Sequence, residues 1–212
     1  MQFQPPIHLL PGPEYSQESL PSSVDGSRIS IARFCAETRA VQCKMKTELR
    51  NKVLWRDTAF PSLHISPLFG ELLSARSRVD ETDTSALAFE AFRIAALLYV
   101  GALRGKFGND TISADDLYLD KLQTLFSESG AYSTIPETLL IWILAVAFTA
   151  QRISSEPKTW ARAALCTTLQ YNGITSFETL LGFLTEVVWD IELFEMQSQC
   201  LIELLASENL QE

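Results

Sequence analysis

The most constraining feature of this 212-residue chain is a long segment that is apolar on almost every side. It covers residues 85–104 (SALAFEAFRIAALLYVGALR). Between positions 89 and 103 every residue is apolar or aromatic except three: Glu90, Arg93 and Gly101. Because a helix with apolar residues around its whole circumference must be surrounded by other elements, the segment predicts a helix in the middle of a helical bundle. Gly105 and Gly108 are predicted to end it.

A second apolar run extends from Leu139 to Phe148 and is bracketed by Pro136, Glu137 and Arg152. A helix that crosses a bilayer needs about 20 apolar residues, and this run is much shorter. It therefore predicts another buried helix, and no membrane partner is expected.

Helical periodicity continues through most of the remaining sequence. Apolar residues recur at three- or four-residue steps, which predicts helices at 28–57, 66–78, 85–104, 113–126, 135–152, 157–171 and from Ser176 toward Ala206. Capping patterns are predicted at Ser66 with Pro67, Ser113, Thr134 with Glu137, Asn172 with Gly173, and Thr175 with Glu178. No useful stretch alternates with period two. The predicted fold class is all-α: a single bundle of about seven helices over 28–212, behind a disordered tail at 1–27 that is rich in Pro, Ser, Gln and Glu.

The net charge of −9 is unevenly distributed. Residues 28–57 carry an excess of basic side chains, whereas residues 58–212 are strongly acidic and contain no Lys or Arg after Arg162. The acidic balance argues against a nucleic-acid surface, which requires clustered Lys and Arg. The basic run KMKTELRNK (44–52) has two interpretations. The favoured one is the solvated face of an amphipathic helix, and the other is a nuclear-import patch or a dock for an acidic partner.

The four cysteines do not form a metal-binding pattern. Cys35, Cys43, Cys166 and Cys200 are too widely spaced for a C-x₂-C pair, and the chain has only two histidines, His8 and His64. We expect four reduced thiols in the core of a protein from a reducing compartment, with no metal and no cofactor.

The strongest enzyme-like feature is the acidic sequence DDLYLD, which contains Asp115, Asp116 and Asp120. Carboxylates four and five residues apart share one helix face and could hold Mg²⁺. This arrangement resembles the aspartate-rich motif of terpene cyclases, so metal-dependent prenyl-diphosphate chemistry is the alternative function. The favoured interpretation is structural, since acidic residues in a first turn stabilise a helix. The second metal motif of that family is absent: NDTIS (109–113) has Leu117 where the glutamate is required.

Other catalytic signatures are missing. The sequence contains no G-x-S-x-G, no G-x-x-x-x-G-K-[ST] and no G-x-G-x-x-G. The glycines of GALRGKFG (101–108) follow a predicted helix rather than a strand, so they indicate a helix end. The four tryptophans are predicted to be core anchors: Trp55, Trp142, Trp160 and Trp189. From the sequence we therefore expect that the protein is not an enzyme.

The acidic and aromatic end of the chain has two interpretations. EVVWDIELFEMQ (186–197) resembles a transcriptional activation segment in composition. The helical period instead predicts one continuous last helix with an acidic outer face. Its predicted inner face consists of Leu180, Leu181, Leu184, Val188, Ile191, Leu193, Phe194 and Leu201.

Three ordered stretches resemble the fungal-specific transcription factor domain, the helical region C-terminal to binuclear six-cysteine zinc clusters. They are EAFRIAALLYVGALR (90–104), ETLLIWILAVAFTAQ (137–151) and TWARAALCTTLQYNGITSFETLLGFLTEVVW (159–189). Their order and spacing agree with the family over about residues 66–200. Each stretch is a pattern of apolar residues and caps, and the specificity lies in the ordered set.

The resemblance implies a nuclear regulatory domain without catalytic activity. Its implied partners are proteins of a transcription complex and, as a second class, a small-molecule effector, with dimerisation left open. The zinc cluster of the complete family, with its C-x₂-C-x₆-C spacing, is missing here. We therefore expect no sequence-specific DNA binding by this chain, which resembles the C-terminal portion of a longer regulator. A fragment, a truncated gene model and a stand-alone relative remain alternatives.

Overall fold

The computed structural model describes residues 30–49, 54, 57, 59–75, 84–108, 112–129, 132, 134–150 and 159–208. Its regular elements are all helical: α1 (Ile31–Leu49), a π-helical turn (Pro61–Ile65), α2 (Ser66–Ser74), α3 (Thr84–Gly105), α4 (Ile112–Ser129), α5 (Glu137–Thr149), α6 (Thr159–Tyr171), α7 (Phe177–Val187) and α8 (Glu195–Glu208). The predicted all-α class is confirmed. The predicted tail at 1–27 lies outside the described residues.

The two apolar segments identified in the sequence form the centre of the bundle. Residues 91–100 of α3 and 139–147 of α5 are all buried. Helix α3 packs against α2, α4 and α5, whereas α5 packs against α3, α6, α7 and α8. Residues 85–105 are long and apolar enough to cross a membrane by length and composition, and 89% of that apolar window is buried inside the protein. Its apolar circumference is thus covered by neighbouring helices.

Aromatic rings join the central helices to the two ends of the chain. The ring of Trp142 in α5 is fully buried and lies 5.5–6.4 Å from three others: Phe34, Phe92 and Tyr99. Tyr99 also stacks on Phe194 at 4.5 Å. The predicted core role is confirmed for Trp142 and Trp189. Trp160 is only half-buried, and Trp55 lies outside the described residues.

The predicted continuous last helix is wrong, because α7 ends at Val187 and α8 begins at Glu195. Val188 adopts an extended conformation (φ −167°, ψ 119°). The indole Nε1 of Trp142 donates a hydrogen bond to the carbonyl oxygen of Val188 at 2.7 Å. Nη2 of Arg39 donates to the carbonyl oxygens of residues 185, 186 and 187 at 2.6–3.1 Å. These donors satisfy the carbonyls that a helix C-terminus leaves without partners, so the helix ends there.

The chain resumes through a turn whose polar groups are also satisfied. The Asp190 carboxylate accepts from the backbone N–H of Leu193 at 3.1 Å, and Trp189 Nε1 donates to Ser198 Oγ at 3.1 Å. Most of the predicted inner face is buried, including Val188, Leu193 and Phe194, and the predicted core residue Trp189 is buried beside it. Leu181 is only half-buried. Ile191 is 43% exposed, because the break changes the helical register that placed it inward.

Three predicted N-cap residues differ from those in the structure. Ser66 does not cap α2, because the π-helical turn runs directly into that helix. The N-cap position of α5 is Pro136 rather than the predicted Thr134. The N-cap of α7 is Ser176, whose Oγ accepts from Thr179 N–H at 3.2 Å, rather than Thr175.

The predicted glycine ends of α3 and α6 are confirmed. Gly108 and Gly173 have positive φ values of 74° and 63°. After α6, the N–H of Gly173 bonds to the carbonyl of Gln170 and the N–H of Ile174 bonds to that of Leu169. This pair of bonds is a Schellman motif, which requires a left-handed residue that glycine adopts without steric cost.

Three basic side chains of α1 form ion pairs or hydrogen bonds with other residues of the chain. Lys46 pairs with Asp190 at 3.1 Å and with Glu192 at 3.7 Å. Arg33 pairs with Glu37 and Glu71 at 2.7 and 3.0 Å. Together with Arg39, these contacts join the basic first helix to the acidic later helices. The interpretation as a solvated face therefore needs one addition: Arg39 and Lys46 contact the α7–α8 junction.

The prediction of four core cysteines is confirmed for only two of them. Cys35 and Cys166 are buried, whereas Cys43 and Cys200 are exposed, and all four are free thiols. Burial raises the pKa of Cys35 to about 11. Cys43 lies on the solvent side of α1, and Cys200 lies on the solvent side of α8.

Candidate functional site

The aspartates of the DDLYLD sequence lie on the first half of α4 and face largely outward. Asp115 is in the first turn, and Asp116 and Asp120 are exposed. Among the described residues, no three His, Cys, Asp or Glu side chains come together to hold a metal ion. The structure therefore does not gather the three aspartates into a metal centre. Ser113 is predicted to cap this helix, and its side chain is not among those that the structure describes.

The histidines provide no catalytic arrangement in the described part of the chain. His64 lies in the π-helical turn with its ring centroid 4.8 Å from that of Phe60. Phe60 in turn stacks on Phe107 at 5.4 Å. His64 thus packs against an aromatic pair, and His8 falls outside the described residues.

A concave surface of the described residues runs along α6, and we call it the α5–α6 groove. It has a volume of about 680 Å³, within the range of small-molecule sites. Its walls are α6, the start of α5 and the segment before it, and its lining residues are Tyr132, Ile135, Glu137, Leu140, Trp160, Ala163, Ala164, Thr167, Thr168, Tyr171 and Asn172.

The groove is open because small side chains line α6 at helical spacing. Ala163, Ala164, Thr167 and Thr168 project from successive turns, so none of the described residues of α6 at these positions fills the space above with a long side chain. The hydroxyls of Thr167 and Thr168 donate to carbonyls one turn earlier, at 2.9 and 2.8 Å. Because these hydroxyl protons are already donated, each side chain offers a ligand its methyl group and the acceptor lone pairs of its oxygen.

Three aromatic side chains border this floor. Tyr132 is 39% exposed and Tyr171 is 89% exposed, an unusual exposure for such a large apolar ring. Burial of the other part of Tyr132, which stacks on Phe126 at 4.5 Å, raises its pKa. The ring of Trp160 is half-buried, and among the described residues its Nε1 is buried without a hydrogen-bond partner.

The electrostatics of the groove are negative at one end. Glu137 is the only charged residue among the described lining residues. Tyr171 and Asn172 place the C-terminus of α6 on the same groove, where the helix dipole contributes about half a negative charge. The N-terminus of α5 offsets about half of the Glu137 charge. The balance is about one negative charge.

The sequence did not predict this groove. Trp160 was predicted to be a core anchor, and Tyr132 and Tyr171 carried no functional prediction. The available signal was the repeat of small residues on α6 beside aromatic residues. That signal does not show which side of the helix stays uncovered.

Comparisons with known proteins find no relative. No protein-family model, no curated protein and no solved structure matches this chain.

Proposed function

We propose that this chain is a helical regulatory domain of the type found in fungal zinc-cluster transcription regulators, acting in the nucleus through protein or effector contacts rather than by catalysis. The observation that supports this proposal is the arrangement of the three stretches that resemble that family. They supply α3, α5, α6 and α7, and α5 packs against each of the other three. The stretches thus share one core, as segments of one domain should.

The described surface offers a site for such contacts. The α5–α6 groove has the size of a small-molecule site and combines aromatic walls with a small-residue floor. An effector that fills the groove would contact α5, and α5 packs on α3, α7 and α8. Occupancy could thereby alter surfaces elsewhere on the domain.

The first test is DNA binding by the purified chain. Because the basic side chains Arg33, Arg39 and Lys46 are bound to acidic or carbonyl groups of the same chain, we expect no sequence-specific complex in an electrophoretic shift assay at about 0.15 M salt. Selection of bound sequences from a random library makes the assay independent of a guessed site. Enrichment of a defined motif would refute the proposal.

The second test is regulation in cells. The whole chain is fused to a heterologous DNA-binding domain and an activation domain, and reporter output is compared with that of the same fusion without the chain. We expect the chain to change reporter output. Ala163→Arg places a long cation in the groove and should abolish the change. Ala40→Arg, at an exposed alanine of α1, is the matched control and should leave it intact.

Two results would contradict the proposal. A fusion with the same output as the fusion lacking the chain would remove the regulatory role. Equal effects of Ala163→Arg and Ala40→Arg on reporter output would show that regulation does not depend on the groove. Expression levels and circular dichroism of each variant distinguish these results from loss of folding.

A further inference from the structure

The α5–α6 groove has a chemical character more specific than apolarity. Its lining combines three aromatic rings, Tyr132, Trp160 and Tyr171, with a single carboxylate, Glu137. Aromatic faces carry negative potential and attract cations within about 6 Å of the ring centroid. The groove also contains the C-terminus of α6, where the helix dipole places partial negative charge that attracts cations. The aromatic faces, the carboxylate and the helix end all favour a positively charged ligand.

We propose that the α5–α6 groove binds an organic cation, a quaternary or protonated amine carried on an apolar body. The amine would lie between the aromatic faces and the Glu137 carboxylate. The apolar body would lie on the alanines and threonine methyl groups of α6, whose hydroxyls are already bonded to backbone carbonyls.

Charge complementarity separates this ligand class from the alternatives. An anion would approach Glu137 and the C-terminus of α6 with no described cation of the lining to compensate. A neutral apolar molecule would gain contact area but no electrostatic attraction. The class of ligand therefore depends on the sign of its charge, and three probes that share a trimethyl head but differ in charge can test it.

The probes are choline, its neutral carbon isostere dimethylbutanol, and the anion trimethylacetate. Each carries a compact group with three methyls and differs in charge. Binding to the purified full chain is followed by the indole N–H signal of Trp160 in NMR spectra, assigned with Trp160→Phe. We expect a saturable shift with choline, at least about tenfold weaker binding of dimethylbutanol, and no saturable shift with trimethylacetate.

Matched variants test the carboxylate. Glu137 and Glu178 are both exposed acidic residues in the first turn of a helix, α5 and α7 respectively, so their replacement by glutamine removes the same helix-end interaction. We expect Glu137→Gln to weaken choline binding about fivefold and Glu178→Gln to leave it unchanged. Tyr171→Leu, at an 89% exposed ring, should weaken binding about threefold without affecting folding.

Three results would overturn the inference: no saturable shift with choline, equal affinity for choline and dimethylbutanol, or equal effects of Glu137→Gln and Glu178→Gln. The inference deepens the proposed function, since it names the class of effector, and it rests on that function only for its biological meaning. Binding is measured without DNA or a reporter. A failure here would leave the reporter result standing, and a failed reporter test would leave measured binding standing.

Discussion

Replacement of Trp142 by phenylalanine tests the central claim that the break between α7 and α8 is held from α5. The Trp142 side chain is fully buried, and its Nε1 donates at 2.7 Å to the carbonyl of Val188, itself fully buried. Phenylalanine keeps an aromatic ring beside Tyr99 but removes the donor and part of the ring volume. The carbonyl at the break is then left without this partner.

The magnitude follows from these two losses. A buried acceptor left without its donor costs about 1–3 kcal/mol, and the space left by the smaller ring costs about 1 kcal/mol more. We expect Trp142→Phe to lower the free energy of unfolding by about 3 kcal/mol. In a chain of this size that corresponds to a melting temperature lower by about 6–12 °C.

Trp160→Phe is the matched control, because it makes the same chemical change where no hydrogen bond is lost. The Trp160 ring is half-buried, and its Nε1 has no partner among the described residues. We expect a loss of about 1 kcal/mol or less. Urea unfolding of both variants, followed by far-ultraviolet circular dichroism, measures the difference. Equal losses for the two variants would refute the assignment of the indole–carbonyl bond as the structural hold on this break.

Further predictions concern glycines and thiols. Gly173→Ala should lower the free energy of unfolding by about 1–2 kcal/mol, because φ is 63° there, whereas Gly182→Ala within α7, where an added Cβ has nothing within 4 Å, should raise it by up to about 1 kcal/mol; thermal unfolding measures both, and the same sign for both would contradict the backbone argument. In the native chain, a thiol reagent should react rapidly with the two exposed cysteines and with the buried pair only after unfolding; four rapid reactions would contradict the described burial of two thiols. The pKa of Cys35 is raised from 9.0 to about 11 by burial, so the folded state keeps a proton that the unfolded state loses. The stability contributed by this thiol is full below about pH 9 and is lost as the pH rises toward about 11, and Cys35→Ala should flatten that part of the pH profile of urea unfolding.

Much of the fold follows from local sequence alone. The apolar circumference of residues 85–104 and 139–148 places both helices at the centre, because only other helices can cover such surfaces. The end of α6 at Gly173 follows from backbone sterics within a few residues. The predicted burial of Trp189, Leu193 and Phe194 is confirmed even though the helix carrying them is not continuous, since burial depends on apolarity more than on exact register.

Only the tertiary structure decided where the last helix breaks and where the groove lies. The break depends on Arg39 and Trp142, which reach carbonyls up to 148 positions away in sequence. No local pattern near Val188 encodes those donors. The groove exists because Tyr132 and Glu137 meet the small-residue face of α6, and no other described side chain covers it. Periodicity specifies which side of a helix is apolar, but the packing of distant segments determines whether that side is covered. For this protein the sequence determined the central helices, and the fold determined which surface remains free to bind.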